Sequence, residues 1–113
     1  MDNDQKNALL AEILGSLFTS FSKFLPLNIV FEDKLVIAFK HPKPAYKNHI
    51  LIVPKMRIKD LKELSKHKEY ILAVFEALDK VTNGPEYTKG FKFVSNFGSY
   101  QKVKQVHFHV YSH

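Results

Sequence analysis

The chain contains no cysteine, so neither a disulfide nor a thiolate metal site can form, and the redox compartment leaves no mark on it. No apolar run approaches the roughly 20 residues that a membrane span needs. No secretory leader is expected: Asp2 and Asp4 stand where such a segment carries positive charge, and Glu12 interrupts the apolar stretch that follows. A soluble cytoplasmic protein, away from membranes, is the expectation. Long basic runs are absent, the lysines being spread thinly, and this argues against a dedicated nucleic-acid arm. Repeats, linkers and low-complexity segments are absent as well, so the 113 residues are expected to make one domain with its own core.

What is present is ordinary for a globular protein: 45% apolar and 25% charged residues exclude a disordered chain. Seventeen Lys and Arg against eleven Asp and Glu leave a formal charge of +6, which favours an anionic partner. Phosphate esters, nucleic acid and an acidic surface all qualify, and net charge does not choose among them.

Leu10, Ile13, Leu14, Leu17, Phe18, Phe21 and Phe24 recur at helical steps, which predicts an amphipathic helix from Asp4 to Phe24 with Asp4 as N-cap and Pro26 as its stop. Asn28 to Glu32 and Lys34 to Lys40 read as a hairpin turning at Glu32-Asp33-Lys34. His49 to Val53 is nearly continuous in apolar residues and reads as a strand buried on both faces, ended by Pro54. A short helical turn is expected over Ile58 to Leu64. A second amphipathic helix is expected over Lys66 to Thr82, with Tyr70, Ile71, Val74, Phe75, Leu78 and Val81 inward and Asn83-Gly84-Pro85 as its stop. Gly90 to Ser95 makes a fourth strand, and Asn96-Phe97-Gly98 its turn. These elements describe an α+β domain around an antiparallel sheet.

The last segment carries the chemistry. Polar and apolar residues alternate from Gln105 to Val110, so Gln105, His107 and His109 share one strand face while Val106, Phe108 and Val110 anchor the other. Successive members of the polar set lie roughly 7 Å apart on a rigid element. A metal site from His49, His107 and His109 would lack a carboxylate or thiolate to complete it. No metal and no cofactor is expected. Alternation alone does not separate His107 from His109 as the reactive residue.

Taken in order, Ile29-Val-Phe-Glu-Asp33, Ile37-Ala-Phe39, His49-Ile-Leu-Ile-Val-Pro-Lys55, Val94-Ser-Asn96-Phe-Gly98 and Gln101-Lys-Val103 before the His strand closely resemble the histidine-triad (HIT) family, from about Ile29 to Val110. The resemblance implies a five-stranded antiparallel sheet with a packed helix and pairing into a homodimer. It also implies division of the chain into an N-terminal helical extension (1–27) and a HIT core (28–113). The implied activity is nucleotide hydrolysis or transfer, in which a histidine attacks the α-phosphate of a nucleoside phosphoramidate or related ester and forms a nucleotidyl-histidine. Gln101-x-Val103 sets the register, making Gln105, His107 and His109 the three triad positions. His107 is then the nucleophile, the Gln105 carbonyl holds its second nitrogen, and His109 assists as a donor. Asn96, Gln101 and Lys102 fall at or beside phosphate-contacting positions, His41 at the ribose, and Ile29 or Phe31 at a purine base. His49 stands behind the triad.

Several residues depart from the family pattern. Gln105 replaces the first triad histidine, and His41 replaces an Asp that accepts from the ribose hydroxyls. Lys102 stands for a small polar residue, Arg57 replaces a frequent His, and only four residues follow His109. A non-catalytic nucleotide- or phosphate-binding module with a degenerate triad is therefore the alternative.

Overall fold

The hairpin forms because Asp33 closes it. Its carboxylate accepts the N–H groups of Leu35 and Val36, each at 2.8 Å, and its own N–H donates to the Val36 carbonyl at 3.0 Å. The computed structural model describes residues 4–8, 10, 12 and 27–112, with β1 (Ile29–Glu32) and β2 (Val36–Lys40) on either side of this turn. Next come β3 (Ile50–Pro54), α1 (Leu61–Leu64), α2 (Lys68–Val81), β4 (Lys92–Val94) and β5 (Phe108–Tyr111). The sheet order is β1-β2-β3-β5-β4, antiparallel throughout, as expected.

Alternation along β2 and β3 divides the core in two. Val36, Ala38, Ile50 and Ile52 face α2 together with Val106, Phe108 and Val110. Ile37, Phe39, Leu51 and Val53 face the other way, where Leu10 and Val103 cover them. Both central strands are buried on both faces, which accounts for their near-continuous apolar sequences. Residues 4–8, 10 and 12 are helical, and Lys6 and Arg57 tie this segment to the body through Glu32 (3.1 Å) and Glu12 (2.6 Å). The remainder of the predicted N-terminal helix, with its Pro26 stop, lies outside the described residues.

Three differences from expectation have local causes. In α2 the innermost residues are Ala73, Val74 and Ala77, while Phe75 is 54% exposed and Leu72 61% exposed. Two alanines let the helix approach the sheet closely; Tyr70, Ile71, Val74, Leu78 and Val81 pack on the core as expected, and Phe75 alone of the expected face turns outward. A bulge between Ile29 and Phe31 shifts the β1–β2 register, so that Ile29 stands opposite Phe39 but Phe31 opposite Ala38. Finally, β5 begins at Phe108 rather than Gln105. The chain before it bonds the segment after β3 instead, with the Val106 N–H on the Ile58 carbonyl at 2.8 Å.

Candidate active site

Position 105 shows how the site is framed. Gln105 is fully buried, and its amide clamps the segment leaving β3: Oε1 accepts from the Ile58 N–H at 3.0 Å, while Nε2 donates to the carbonyls of Met56 at 2.9 Å and Pro54 at 3.2 Å. Its side chain is thus wholly engaged in structure. The backbone carbonyl remains free and accepts from His107 Nδ1 at 2.8 Å. A carbonyl only accepts, so the His107 proton sits on Nδ1 and the lone pair on Nε2. Ser95 Oγ fixes the same stretch by donating to the His107 carbonyl at 2.7 Å.

His109 stands opposite Leu51 and Val94 on the face away from α2, and His49 and His41 join it there from the ends of the loop between β2 and β3. His49 Nε2 lies 2.8 Å from His109 Nδ1, and the His41 ring stacks on His49 with centroids 4.3 Å apart. His49 Nδ1 is buried without a partner. A proton there would be an orphaned donor, costlier than an orphaned acceptor, so the shared proton belongs to His49 Nε2 and the His109 proton to its own Nε2. His107 and His109 therefore carry opposite tautomers, a distinction that alternation could not supply.

Burial, first, and the neighbouring imidazoles, second, disfavour protonation. The pKa of His109 falls to about 3 and that of His49 to about 4. His41 is lowered by burial and then by His107, and His107 by burial against the opposing pull of the Gln105 carbonyl. His41 has its tautomer fixed as well, because its Nδ1 accepts the Lys43 N–H at 3.1 Å, which places the proton on Nε2. It presents a donor at the position where the resemblance puts an Asp that accepts from the ribose hydroxyls.

His41, His49 and His109 each offer a ring nitrogen within 4.8 Å of the others, a different trio from the one considered on sequence. An ion there would have to displace the Lys43 N–H from His41 and the proton shared by His49 and His109. The Lys43 N–H on His41 and the proton between His49 and His109 already occupy lone pairs that an ion would need, and the set fits a hydrogen-bonded network better than a metal site.

A cavity of about 350 Å³ opens over this cluster, lined by the three histidines with Lys43, Tyr46, Asn96 and Tyr111. Tyr46 stacks on Tyr111 at 3.9 Å and forms an aromatic wall. Neither tyrosine was singled out in sequence, although Tyr111 follows His109 by two and so shares its face. Asn96 lies in the cavity. Gln101 is buried with its amide N–H groups on the carbonyls of Lys59 (2.7 Å) and Val103 (2.8 Å), a loop strut rather than an anion donor. Lys102 is exposed. The bulge turns Phe31 to the α2 side, where it lines a groove with Leu72 and Phe75, so Phe31 does not reach the histidines; Ile29 is 47% exposed at the start of β1.

An open five-stranded antiparallel sheet, with His109 on its last strand and the oppositely protonated His107 just before it, defines a small α+β domain of one recognisable class. The comparisons agree. The HIT domain model matches residues 22–113, and the chain belongs to the HIT family. Adenylylsulfatase HINT1 of Arabidopsis thaliana is 34% identical, the alignment covering 94% of this chain and 78% of that protein. The purine nucleoside phosphoramidase of Escherichia coli K12 is 28% identical over 81% of this chain and 84% of its own. Among solved structures, a HIT family hydrolase from Clostridium thermocellum superposes with a TM-score of 0.73 at 28% identity, covering 93% of this chain and 89% of that one. Among the described residues no helix is long and apolar enough to cross a membrane.

Proposed function

We propose that the protein hydrolyses a nucleoside phosphoramidate or related nucleotide ester, with His107 as nucleophile. The observation that carries this reading is the Nδ1 contact to the Gln105 carbonyl, which leaves the Nε2 lone pair of a neutral imidazole available at neutral pH. Nε2 attacks the α-phosphorus, the bond to the leaving group breaks, and the positive charge on the phosphorylated ring is eased by its Nδ1–H on that carbonyl. Water then attacks phosphorus, the P–N bond breaks, the nucleoside monophosphate leaves, and the proton released meets the departed group in solvent. His109 Nε2–H, held in its tautomer by His49, donates a hydrogen bond to the oxygens or leaving atom as charge builds. Asn96 and Lys43 supply further polar contacts from the cavity wall, and the Tyr46–Tyr111 pair gives a purine base a stacking surface.

Trapping with an adenylated substrate tests this. His107→Ala abolishes covalent labelling, whereas His109→Ala labels about 10²–10³-fold more slowly. Labelling that survives in His107→Ala and vanishes in His109→Ala reverses the roles. Wild type that binds nucleotide yet is never labelled supports the alternative, a binding module.

The active form in this reading is a homodimer. Leu72 and Phe75 on α2 and Phe91 beside the edge strand β4 are exposed, and among the described residues β4 leaves one side of its backbone unpaired. Sedimentation should give about twice the 13.1 kDa chain mass; a monomer at micromolar concentration refutes the assignment.

A further inference from the structure

A second, larger cavity of about 700 Å³ adjoins the one over the histidines and shares His41, Tyr46 and His49 with it. Its charged lining is three lysines, Lys40, Lys47 and Lys80, against one carboxylate, Glu86. His41, 8% exposed, stands between the two spaces. Because the Lys43 N–H occupies its Nδ1, the proton is on Nε2, and among the described residues Nε2 has no hydrogen-bond acceptor. One N–H donor and three exposed ammonium groups thus lie in the walls of one space, and the hydrolytic step does not use them.

The wall is also built rather than loose. Asn48 adopts a left-handed conformation (φ 51°), its carbonyl accepts from Tyr87 Oη at 2.8 Å, and its Nδ2 donates to Ser112 Oγ at 2.7 Å. The Ser112 N–H donates to the Lys47 carbonyl at 3.2 Å, and the His41 N–H to the His49 carbonyl at 2.8 Å. These bonds anchor the backbone that carries Lys47 and His41 before a ligand arrives, which lowers the ordering cost of binding.

We infer that this cavity is a second anion subsite, taking a phosphate monoester carried on the same ligand as the phosphate that faces His107. The inference rests on the nucleotide reading of the histidine site and deepens it: the substrate class becomes a nucleotide phosphorylated a second time, on its ribose. Several ammonium groups and a neutral N–H donor suit a compact dianion better than a hydroxyl, which returns little to a lysine and needs an acceptor. The two cavities meet at His41, Tyr46 and His49, the boundary that a ligand with an anion in each would cross.

Calorimetric titration of the full, tag-free chain at low salt compares adenosine 5′-monophosphate with adenosine 3′,5′- and 2′,5′-bisphosphate. One bisphosphate is expected to bind about tenfold or more tightly than the monophosphate, and the ratio to shrink as salt screens the lysines. Lys47→Glu and Lys80→Glu should each bring that ratio towards one. Wild type that binds the monophosphate with a ratio near one, or a ratio that neither variant changes, overturns the subsite and leaves the nucleotide reading intact. Inorganic phosphate that binds beside the monophosphate as tightly as the bisphosphate does, with the same lysine dependence, makes this a free-anion site and overturns the shared-ligand claim. Silence from all three nucleotides overturns both readings. The wild-type comparison decides the matter even if a variant fails to fold.

Discussion

Replacing Gln105 by Ala separates the two functions that one residue combines. The substitution removes three hydrogen bonds and leaves the Ile58 N–H and the Met56 and Pro54 carbonyls without their buried partner. At about 1 kcal/mol net for each bond, the loss is about 3 kcal/mol, and it grows where water cannot reach the stranded groups. For a chain of this size that corresponds to a fall in Tm of about 10–15 °C. The His107 contact runs to a backbone carbonyl that Ala also possesses, so the nucleophile keeps its tautomer. Thermal denaturation should therefore show the large loss, while turnover of an adenylated substrate, measured at about 10 °C where the variant stays folded, stays within a few-fold of wild type. A variant with native circular dichroism whose rate falls about 10²-fold refutes this, because the amide would then act in the reaction. Gln105→His is expected to destabilise too, since two ring nitrogens cannot replace an amide that serves three backbone groups.

Acid should unfold the protein early. His49 and His109 titrate near 4 and 3 in the fold against an ordinary 6.5, so the unfolded chain binds more protons below neutrality, and stability present above about pH 6.5 is lost as pH falls through that window; a urea midpoint that stays level from pH 7 to 4 contradicts it. His41→Asp exchanges a donor for an acceptor and should raise the preference for a ribonucleotide over its deoxy counterpart, read as a ratio of dissociation constants; an unchanged ratio removes position 41 from the sugar site. Asp60→Ala removes the α1 cap, in which Oδ1 accepts the Glu63 N–H at 2.9 Å, and should cost about 1 kcal/mol by denaturant titration, with no loss there showing that the cap is redundant.

The order of elements was legible because β2 and β3 are apolar on both faces and the turn at Asp33 and the stop at Pro54 are marked by local chemistry. The face of α2 was legible too, apart from Phe75, because large side chains dominate a periodicity count while Ala73 and Ala77 decide how closely the helix approaches. Phe31, read as a candidate base contact, lies on the α2 side because a single-residue bulge reverses every side chain beyond it and leaves no signal in composition. Within the site, His107, His109 and His49 could be singled out from spacing and the collinear motifs. The His107 contact to the Gln105 carbonyl followed from the family resemblance, but the tautomers of His109, His49 and His41 could not be read, because they are set by the N–H of Lys43 and a buried nitrogen on His49.

The strand order has a consequence for when the site comes into being. β5 lies between β3 and β4, so β4 is made earlier yet has no partner in the sheet until β5 is inserted beside it. The same short segment brings His109, the aromatic face of Tyr111 and the Ser112 contacts that steady the loop carrying His41 and Lys47. During synthesis, a chain that stops before residue 108 can fold its hairpin and helix, but it has neither a closed sheet nor a cavity wall. Chemistry and the completion of the sheet arrive in one non-local step. Until β5 is made, a nascent chain therefore lacks His109 and one wall of the cavity.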